Sequence, residues 1–336
     1  MNPWRGKHGP LLIAEIGGNH EGDFDYALRL LDLALESDAD VIKFQVYTGD
    51  TLVSRVEGAV RNQHFKKFEF GISQYLELAR RVEAGGKIFM ASIWDLGMID
   101  ALDVHMPIYK IGSGDLTAYP LLREFAYRGK PMVVSTGLAT TDEVAASVEF
   151  IRCVNPVYRT PAFLAILQCT SMYPIPASDA NLAVMGELKA RLGTTVGYSD
   201  HTEGMRALEI AYAMGAEVME FHFTDAREGK SFRDHKVSLT AQEVHQLQAR
   251  LREITELRGD GTKQPLPVEG DHVVSFRRAV YPRFALAEGT VLTTDNLTVL
   301  RPNHGIDARD FDKVVGCRLL CAVNAHQKLE WDMLSE

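Results

Sequence analysis

The chain has 336 residues and a formal net charge of −9 at pH 7. That length admits one large domain or two unequal ones with a substantial core. The acidic balance argues against sequence-independent binding of nucleic acid, which needs a basic surface to neutralise phosphates. The N-terminus lacks an apolar segment followed by small residues, and no run reaches about 18 apolar residues. We therefore expect a soluble cytoplasmic protein with neither a nucleic-acid nor a membrane partner.

The cysteines are too few for a disulfide framework in so long a chain, and no two of them form a CxxC pair. Unpaired cysteine is usually buried as a small apolar side chain. We therefore expect all four to be buried free thiols: Cys153, Cys169, Cys317 and Cys321.

Short β-branched runs alternate with amphipathic segments along most of the chain. In the first helical pattern, Phe24, Leu28 and Leu31 recur on one face. The predicted strands are 11–17, 41–47, 87–93, 108–115, 131–137, 164–170, 194–202 and 217–224. The helices that follow them are predicted from Phe24 to Leu35 and near 72–84, 95–104, 118–128, 140–151, 180–192, 203–215 and 240–257. Thr141 is the predicted N-cap of the fifth helix.

Eight strand–helix repeats predict parallel β-α-β units, and eight of them within about 250 residues match the size of a closed barrel. The alternative is a doubly wound open sheet, which usually has a glycine-rich phosphate turn after its first strand. The segment "EIGGNHEG" does not fit that fingerprint. The predicted fold is therefore an α/β protein with a (β/α)8 TIM barrel over residues 1–260.

The composition shifts after Leu257. The segment "RGDGTKQPLPVEGD" is rich in glycine, proline and charge, which is typical of a linker, and we place that linker at 261–274. The remaining residues, 275–336, alternate short β-like pieces with turns. They predict a small C-terminal β-rich domain.

Polar residues stand at the C-terminal ends of all eight predicted strands, where (β/α)8 barrels place their reactive groups. A single serine or threonine there is often only a helix cap. Stability alone gives no reason for eight such positions. In chain order they are Glu15, Lys43 with Gln45, Ser92, Lys110 with Ser113, Ser135, Gln168 with Thr170, Ser199 with His201, and His222.

Lys43 and Lys110 interrupt otherwise apolar runs. Because lysine is rarely buried without a partner, two lysines in a barrel mouth predict a cationic pocket for a carboxylate or phosphate. The "GSG" at 112–114 adds backbone amides that an anion can approach closely. The alternative is that each lysine pairs with a barrel carboxylate such as Glu15.

His201 and His222 end adjacent predicted strands. Neighbouring strands lie about 5 Å apart, so both imidazoles can reach one cation. Two histidines with a carboxylate or water suit Mn²⁺, Fe²⁺, Co²⁺ or Zn²⁺. Asp200 or Glu220 is placed to support the imidazoles from behind. A structural role for each histidine is the alternative.

Several longer motifs resemble the sialic acid synthase family, which includes the spore coat polysaccharide biosynthesis protein E. They are "IAEIGGNHEGD", "DVIKFQ", "YKIGSGD", "KPMVVSTGLAT", "LQCTSMYP", "VGYSDHT", "HFT" and "DHKVSL". In the tail, "FRRAV", "EGTVLTTDNLTVLRPNHGI" and "VVGCRL" resemble the antifreeze-like (SAF) domain of that family. The resemblance covers nearly the whole chain.

The resemblance implies a condensation of phosphoenolpyruvate with the open-chain aldehyde of an N-acetylated hexosamine. C3 of phosphoenolpyruvate attacks the aldehyde carbon, water adds to C2, and phosphate leaves by C–O cleavage. The product is a 2-keto-3-deoxy nonulosonic acid. A divalent metal ion is implied as cofactor, Mn²⁺ before Mg²⁺ or Co²⁺. The family also implies a domain-exchanged homodimer.

The matching positions assign roles to individual residues. His201 and His222 match the metal ligands, and Glu15 matches a carboxylate beside the metal that is a candidate acid or base. The positions that match the phosphoenolpyruvate pocket are Lys43, Lys110, Ser92, Ser113, Ser135 and Ser199. Those that match sugar contacts are Gln45, Asp115, Tyr173 and Asp234, with Arg278 or Arg277 reaching over the sugar from a partner's small domain.

The chain departs from the family pattern mainly on the sugar side. "ASIWD" stands where "STPFD" is usual, Phe221 where lysine is usual, and Arg233 where proline is usual. The segment 55–75 is shorter than in many relatives. Two alternatives stay open: a metal-dependent barrel aldolase or isomerase that does not use phosphoenolpyruvate, and a sugar-binding homologue without turnover.

Overall fold

The computed structural model describes residues 2–335. The chain divides into two compact units between Gly259 and Asp260. The segment 261–274 lies on the second unit's side of this division.

Eight parallel strands form the first unit's sheet, each hydrogen-bonded to the next in chain order. They are β1 Gly9–Glu15, β2 Val41–Val46, β3 Ile88–Ile93, β4 Tyr109–Ile111, β5 Met132–Ser135, β6 Leu164–Cys169, β7 Thr195–Ser199 and β8 Val218–His222. Strand β1 also pairs with β8, in register from Leu11 opposite Val218 to Glu15 opposite His222. That pairing closes the sheet, so the predicted barrel is confirmed and the open sheet is wrong.

A helix follows each strand and packs its apolar face on the outside of the barrel. The helices are α1 Phe24–Glu36, α2 Ile72–Ala84, α3 Ile99–Asp103, α4 Tyr119–Arg128, α5 Thr141–Val154, α6 Val184–Leu192, α7 Arg206–Ala213 and α8 Ala241–Arg258. Between β2 and α2 the chain makes two further short helices, Gly49–Leu52 and Ala59–Lys66. A two-residue strand, Arg5–Gly6, pairs antiparallel with β1.

The N-cap of α5 is Thr140, so the prediction of Thr141 was wrong by one residue. The Thr140 hydroxyl accepts from the Glu143 amide, and the Glu143 carboxylate accepts from the Thr140 amide at 2.8 Å. This reciprocal capping box needs an acidic residue three positions after the cap, and only Thr140 has one.

Alternation along the strands separates two apolar layers. Leu12 and Ala14 of β1 point outward and join the core between barrel and helices. Leu11 and Ile13 point inward and join a smaller cluster that fills the barrel interior. Because successive side chains on a strand face opposite sides, Glu15 continues the inward row. The interior therefore has a hydrocarbon floor with polar residues above it.

Gly197 on β7 lies in this inward row. A Cβ atom there would overlap the backbone oxygen of Val218 and come within 2.5 Å of the Leu167 side chain. Only glycine lets β8 and Leu167 pack this closely, which sets the position of the strand that carries His222.

The second unit is small and mostly β. Strands β9 Ala279–Pro282 and β10 Leu297–Leu300 pair antiparallel, as do Arg318–Leu319 and Leu334–Ser335. Short helices run from His272 to Ser275 and from Phe311 to Val314. A separate apolar cluster that includes Val280, Leu292 and Leu329 forms its core.

All four cysteines are free, as predicted, but their predicted burial was only partly right. Cys169 is buried, Cys317 is half-buried, and Cys153 and Cys321 are exposed. Within residues 2–335, no helix combines the length and hydropathy that a membrane crossing requires.

Candidate active site at the barrel mouth

The inward rows of the strands end in polar or ionisable side chains at the C-terminal end of the barrel. Register places Glu15 opposite both Lys43 and His222, and Ser92 opposite both Gln45 and Lys110. Residues predicted on seven different strands are thus brought together at the C-terminal end of the barrel. These residues are Glu15, Lys43, Ser92, Lys110, Ser135, Ser199 and His222, and all are buried.

Both lysines of this ring of buried strand-end residues are paired with carboxylates. Lys43 Nζ contacts Glu15 Oε2 and lies 3.3 Å from Glu220 Oε1. Lys110 Nζ lies 3.3 Å from Glu220 Oε2. Glu220 therefore bridges the two ammonium groups through its two oxygens. The pairing that we left open as an alternative is present, and the carboxylate that joins both lysines is Glu220.

The charges in this cluster shift one another's pKa values. Burial acts to raise the pKa of Glu220, but Lys110 and Lys43 outweigh it and hold that pKa at about 2. Burial raises the pKa of Glu15 despite the opposing effect of Lys43. Glu220 is thus the fixed anion, and Glu15 is the carboxyl group more easily protonated.

The serines lie around Lys110. Its ammonium donates to Ser135 Oγ and to the Ile111 carbonyl oxygen, both at 2.8 Å. Ser113 Oγ accepts from the Gly137 amide at 3.0 Å. Ser199 faces Glu220 across β7 and β8. The four serines of the predicted anion pocket therefore lie on β3, β5, β7 and the turn after β4.

His201 and His222 lie side by side, with ring centroids 5.4 Å apart. His201 Nδ1 is 2.6 Å from the Thr170 carbonyl oxygen, which can only accept, so Nδ1 carries a proton and Nε2 is the nitrogen with the lone pair when the ring is neutral. His222 Nδ1 is buried and, within residues 2–335, has no hydrogen-bond partner.

The pair fits a divalent cation. Two imidazole nitrogens bound at about 2.1 Å to one ion place their ring centroids roughly 4.5–5.5 Å apart, and the buried Nδ1 of His222 needs a partner. Burial, His201 and Lys43 keep the pKa of His222 well below its ordinary value, so it is the neutral, ligating form. The pKa of His201 is raised, since Cys169 and Thr170 outweigh its burial.

Within residues 2–335, no third His, Cys, Asp or Glu joins the histidine pair. In the part of the chain that the structure describes, no group of three or more His, Cys, Asp and Glu residues is arranged to hold a metal. Two imidazoles would leave the other coordination positions to water or substrate, unlike a structural site, which is closed by four protein ligands.

The predicted support of the imidazoles by Asp200 is wrong. Its carboxylate accepts from the Thr202 amide at 2.8 Å and from the Tyr198 hydroxyl at 3.1 Å. Asp200 follows β7 with its side chain turned away from the cavity because it precedes His201 by one residue. The carbonyl of Thr170 orients His201 instead.

The predicted sugar contacts lie around the histidine and lysine pairs. Gln45 Nε2 donates to Glu15 Oε1 at 2.9 Å. The Trp94 indole N–H donates to Asp115 Oδ2, and burial raises the pKa of Asp115. Because phenylalanine has no donor, this bond depends on the departure from the usual family residue.

Tyr173 joins the histidine pair to the loop after β8. Its ring centroid lies 3.9 Å from that of His201 and 5.4 Å from that of His222. The Arg233 guanidinium carbon lies 4.1 Å from the Tyr173 centroid, and Arg233 Nε donates to Asp234 Oδ1 at 2.8 Å. The predicted contacts Tyr173 and Asp234 are thus linked through Arg233, which the sequence singled out only as a departure.

Arg277 and Arg278 lie in the second unit, and both are exposed. Arg278 Nη1 donates to the Val299 carbonyl oxygen at 2.8 Å, which ties it to its own domain.

The sequence profile described as "NeuB family" matches residues 30–263, and that described as "SAF domain" matches residues 277–335. The chain belongs to the NeuB family. Among its relatives, the human N-acetylneuraminate-9-phosphate synthase is 34% identical over 95% of this chain and 90% of the relative. The N,N'-diacetyllegionaminic acid synthase of Campylobacter jejuni is 32% identical over 91% of this chain and 94% of the relative.

A solved structure supports the assignment to this family. The crystal structure of the N-acetylneuraminic acid synthetase of Leptospira borgpetersenii is 31% identical and superposes with a TM-score of 0.71, covering 78% of this chain and 90% of that chain. The predicted resemblance is therefore confirmed. The chain is a synthase enzyme of the NeuB type, a TIM barrel followed by a SAF domain.

Sequence reasoning missed the contacts of two residues of this site, since it considered Glu220 only as support for the imidazoles and Cys169 only as a buried thiol. Glu220 precedes His222 by two positions, so both face the same side of β8, and that spacing was the available signal. Cys169 faces Ser199 across β6 and β7 and lies 3.8 Å from His201 Nδ1. Its signal was the same alternation, continued from Leu167.

Proposed function

We propose that the protein condenses phosphoenolpyruvate with the aldehyde of an N-acetylated hexosamine, with a divalent cation, Mn²⁺ before Mg²⁺ or Co²⁺. The products would be phosphate and a 2-keto-3-deoxy nonulosonic acid. The observation that carries the proposal is the proximity of the lysine and histidine pairs. Lys43 and Lys110 share Glu220, and Glu15 contacts Lys43 and lies opposite His222, which is beside His201. A dense anion and a cation-bound aldehyde can meet there.

The lysines are the binding groups for phosphoenolpyruvate. Charge-assisted hydrogen bonds from ammonium groups to phosphate or carboxylate are about twice as strong as neutral ones. Glu220 holds both ammonium groups in place, while Ser92, Ser135 and Ser199 supply hydroxyls within the same ring. The pocket is therefore organised before the anion arrives.

His201 and His222 would hold the cation, which when bound polarises the acceptor aldehyde and lowers the pKa of bound water. Glu15 is next to His222 and contacts Lys43 and Gln45. Burial raises the pKa of Glu15, which favours proton uptake by this carboxyl group. We assign it the proton transfer at the reacting centre.

The acceptor would lie over Gln45, Asp115, Tyr173 and Asp234. The names of two relatives, the human N-acetylneuraminate-9-phosphate synthase and the Campylobacter N,N'-diacetyllegionaminic acid synthase, support an acceptor of the amino-sugar class. In a domain-exchanged homodimer, the small domain of a partner subunit would bring Arg277 or Arg278 over this acceptor. Arg277 is the better candidate because Arg278 is bonded to its own domain.

The test is phosphate release. Purified protein is incubated with phosphoenolpyruvate, Mn²⁺ and a panel of N-acetylated hexosamines, and product masses are recorded. The expected result is phosphate formed in step with a product of the summed carbon count, and no release after chelation. No phosphate with any sugar contradicts the proposal.

A histidine variant tests the metal assignment. His222→Ala should abolish the response to Mn²⁺ while the protein keeps its fold, as judged by circular dichroism. His245 lies on α8, exposed and away from the cavity, so His245→Ala is the matched control and should respond to Mn²⁺ like the parent. Full activity of His222→Ala would remove His222 from the site.

A further inference from the structure

We propose that Arg233 binds an anionic substituent, a phosphate ester or a carboxylate, at the end of the acceptor that is remote from the aldehyde. The inference rests on the proposed function for the place of the aldehyde. Arg233 would then be a residue that determines which acceptor this enzyme accepts.

Arg233 is fixed on two sides. Its guanidinium lies over the face of Tyr173, at 4.1 Å from the ring centroid. Its Nε donates to Asp234, whose side chain is buried. An arginine held both by an aromatic face and by a carboxylate loses little further freedom when it binds a ligand.

The outer edge of the guanidinium is available. Arginine carries five N–H donors, and Asp234 uses only the one on Nε. Within residues 2–335, the terminal nitrogens of Arg233 have no hydrogen-bond partner, and its side chain is 57% exposed. Two parallel N–H groups on one edge match two oxygens of a phosphate or carboxylate.

The distance to the histidine pair fits a six-carbon sugar. The His201 ring centroid lies 3.9 Å and the Arg233 guanidinium carbon 4.1 Å from the Tyr173 centroid, so the imidazole and the guanidinium are at most about 8 Å apart. In an extended chain three bonds span about 3.8 Å, so the five bonds from C1 to C6 span roughly 6 Å. With C1 at the imidazoles, an oxyanion attached to C6 reaches the guanidinium.

Two other cationic residues of the loop after β8 are already paired with carboxylates. Arg227 and Lys230 are both paired with carboxylates. Lys236 is exposed but does not contact the ring of Tyr173. Arg233 is therefore the cation of this loop that combines a fixed position, free donors and a place next to the site, and Lys236 offers a matched control.

The test uses reduced acceptors, which lack the aldehyde and cannot react. Calorimetry in the presence of Mn²⁺ measures the binding of three N-acetylhexosaminitols: the neutral form, its 6-phosphate and its 6-carboxylate. We expect the parent to bind at least one charged form about tenfold or more tightly than the neutral one, as a bidentate charged pair implies. Comparison of the two charged forms identifies the preferred oxyanion.

Variants then assign the preference. The preference is the ratio of charged to neutral affinity within each variant. Arg233→Ala should lose it, Arg233→Lys should retain part of it, and Lys236→Ala should retain all of it. The matching aldehydes should show the same pattern as a KM change with little change in kcat. The proposal is overturned if the parent binds no charged form more tightly than the neutral one, if Arg233→Ala keeps the preference, or if Lys236→Ala also loses it. Since the reduced sugars do not turn over, this outcome is independent of phosphate release.

Discussion

Glu220→Gln is the most informative single change. The variant keeps the size and one carbonyl oxygen of the side chain but removes the anion that joins Lys43 to Lys110. Lys43 would then keep Glu15, while Lys110 would lose its ion pair with Glu220. Leaving a buried charge uncompensated costs about 3–5 kcal/mol. Because the glutamine oxygen still accepts from one lysine, we expect the lower end, about 3 kcal/mol.

That loss should lower the melting temperature by about 6–12 °C, given about 2–4 °C per kcal/mol in a domain of this size. Thermal unfolding followed by circular dichroism measures it. Inorganic phosphate, bound between the freed ammonium groups, should restore the missing charge. We therefore expect saturating phosphate to raise the melting temperature of the variant more than that of the parent.

Glu217→Gln is the matched control, since Glu217 precedes β8, is half-buried, and has no ion-pair partner within residues 2–335. It should melt within about 2 °C of the parent. An equally small change for Glu220→Gln, or an equal effect of phosphate on both proteins, would refute the view that Glu220 compensates the lysine pair.

Three further changes test other parts of the structure. Gly197→Ala should destabilise the barrel by about 3 kcal/mol in denaturant titration, because the added methyl overlaps the β8 backbone, and a loss below about 1 kcal/mol would contradict that overlap. Trp94→Phe should raise the KM for the acceptor several-fold and leave that for phosphoenolpyruvate unchanged, because Asp115 loses its indole donor; steady-state kinetics with an equal rise in both KM values would argue against it. Burial lowers the pKa of His20 to about 4. Between about pH 6.5 and pH 4, His20 is therefore protonated in the unfolded chain but neutral in the folded protein. Stability should therefore fall as pH drops from about 6.5 to about 4 and level off below, with an order-of-magnitude size of 3 kcal/mol. His20→Gln should lack that component in denaturant titrations across the range.

The fold could be predicted because it depends on local periodicity. Each predicted strand overlaps an observed one, and the helix predicted near 72–84 is observed at Ile72–Ala84. The polar strand ends followed from the same reasoning, since alternation and parallel register carry them to one rim. The error at Thr141 arose where the cap was chosen without its partner three residues later.

Other parts of the site depend on contacts that periodicity does not encode. Trp94, which follows β3, donates a hydrogen bond to Asp115, which follows β4. Arg233 contacts the ring of Tyr173 from a loop 60 positions further along the chain. No spacing rule relates such loop residues. The sequence analysis considered Glu220 only as a partner of the histidines. Whether its carboxylate pairs with the histidines or with Lys43 and Lys110 depends on side-chain geometry, which the sequence does not give.

The stacking of a polar ring on a hydrocarbon floor has a consequence for redesign. Leu11, Ile13 and Val218 hold the strands together beneath the reactive groups, while the residues that would recognise the acceptor stand mostly on loops above them. Exchanging those loops should therefore change the acceptor specificity without altering the apolar interior of the barrel.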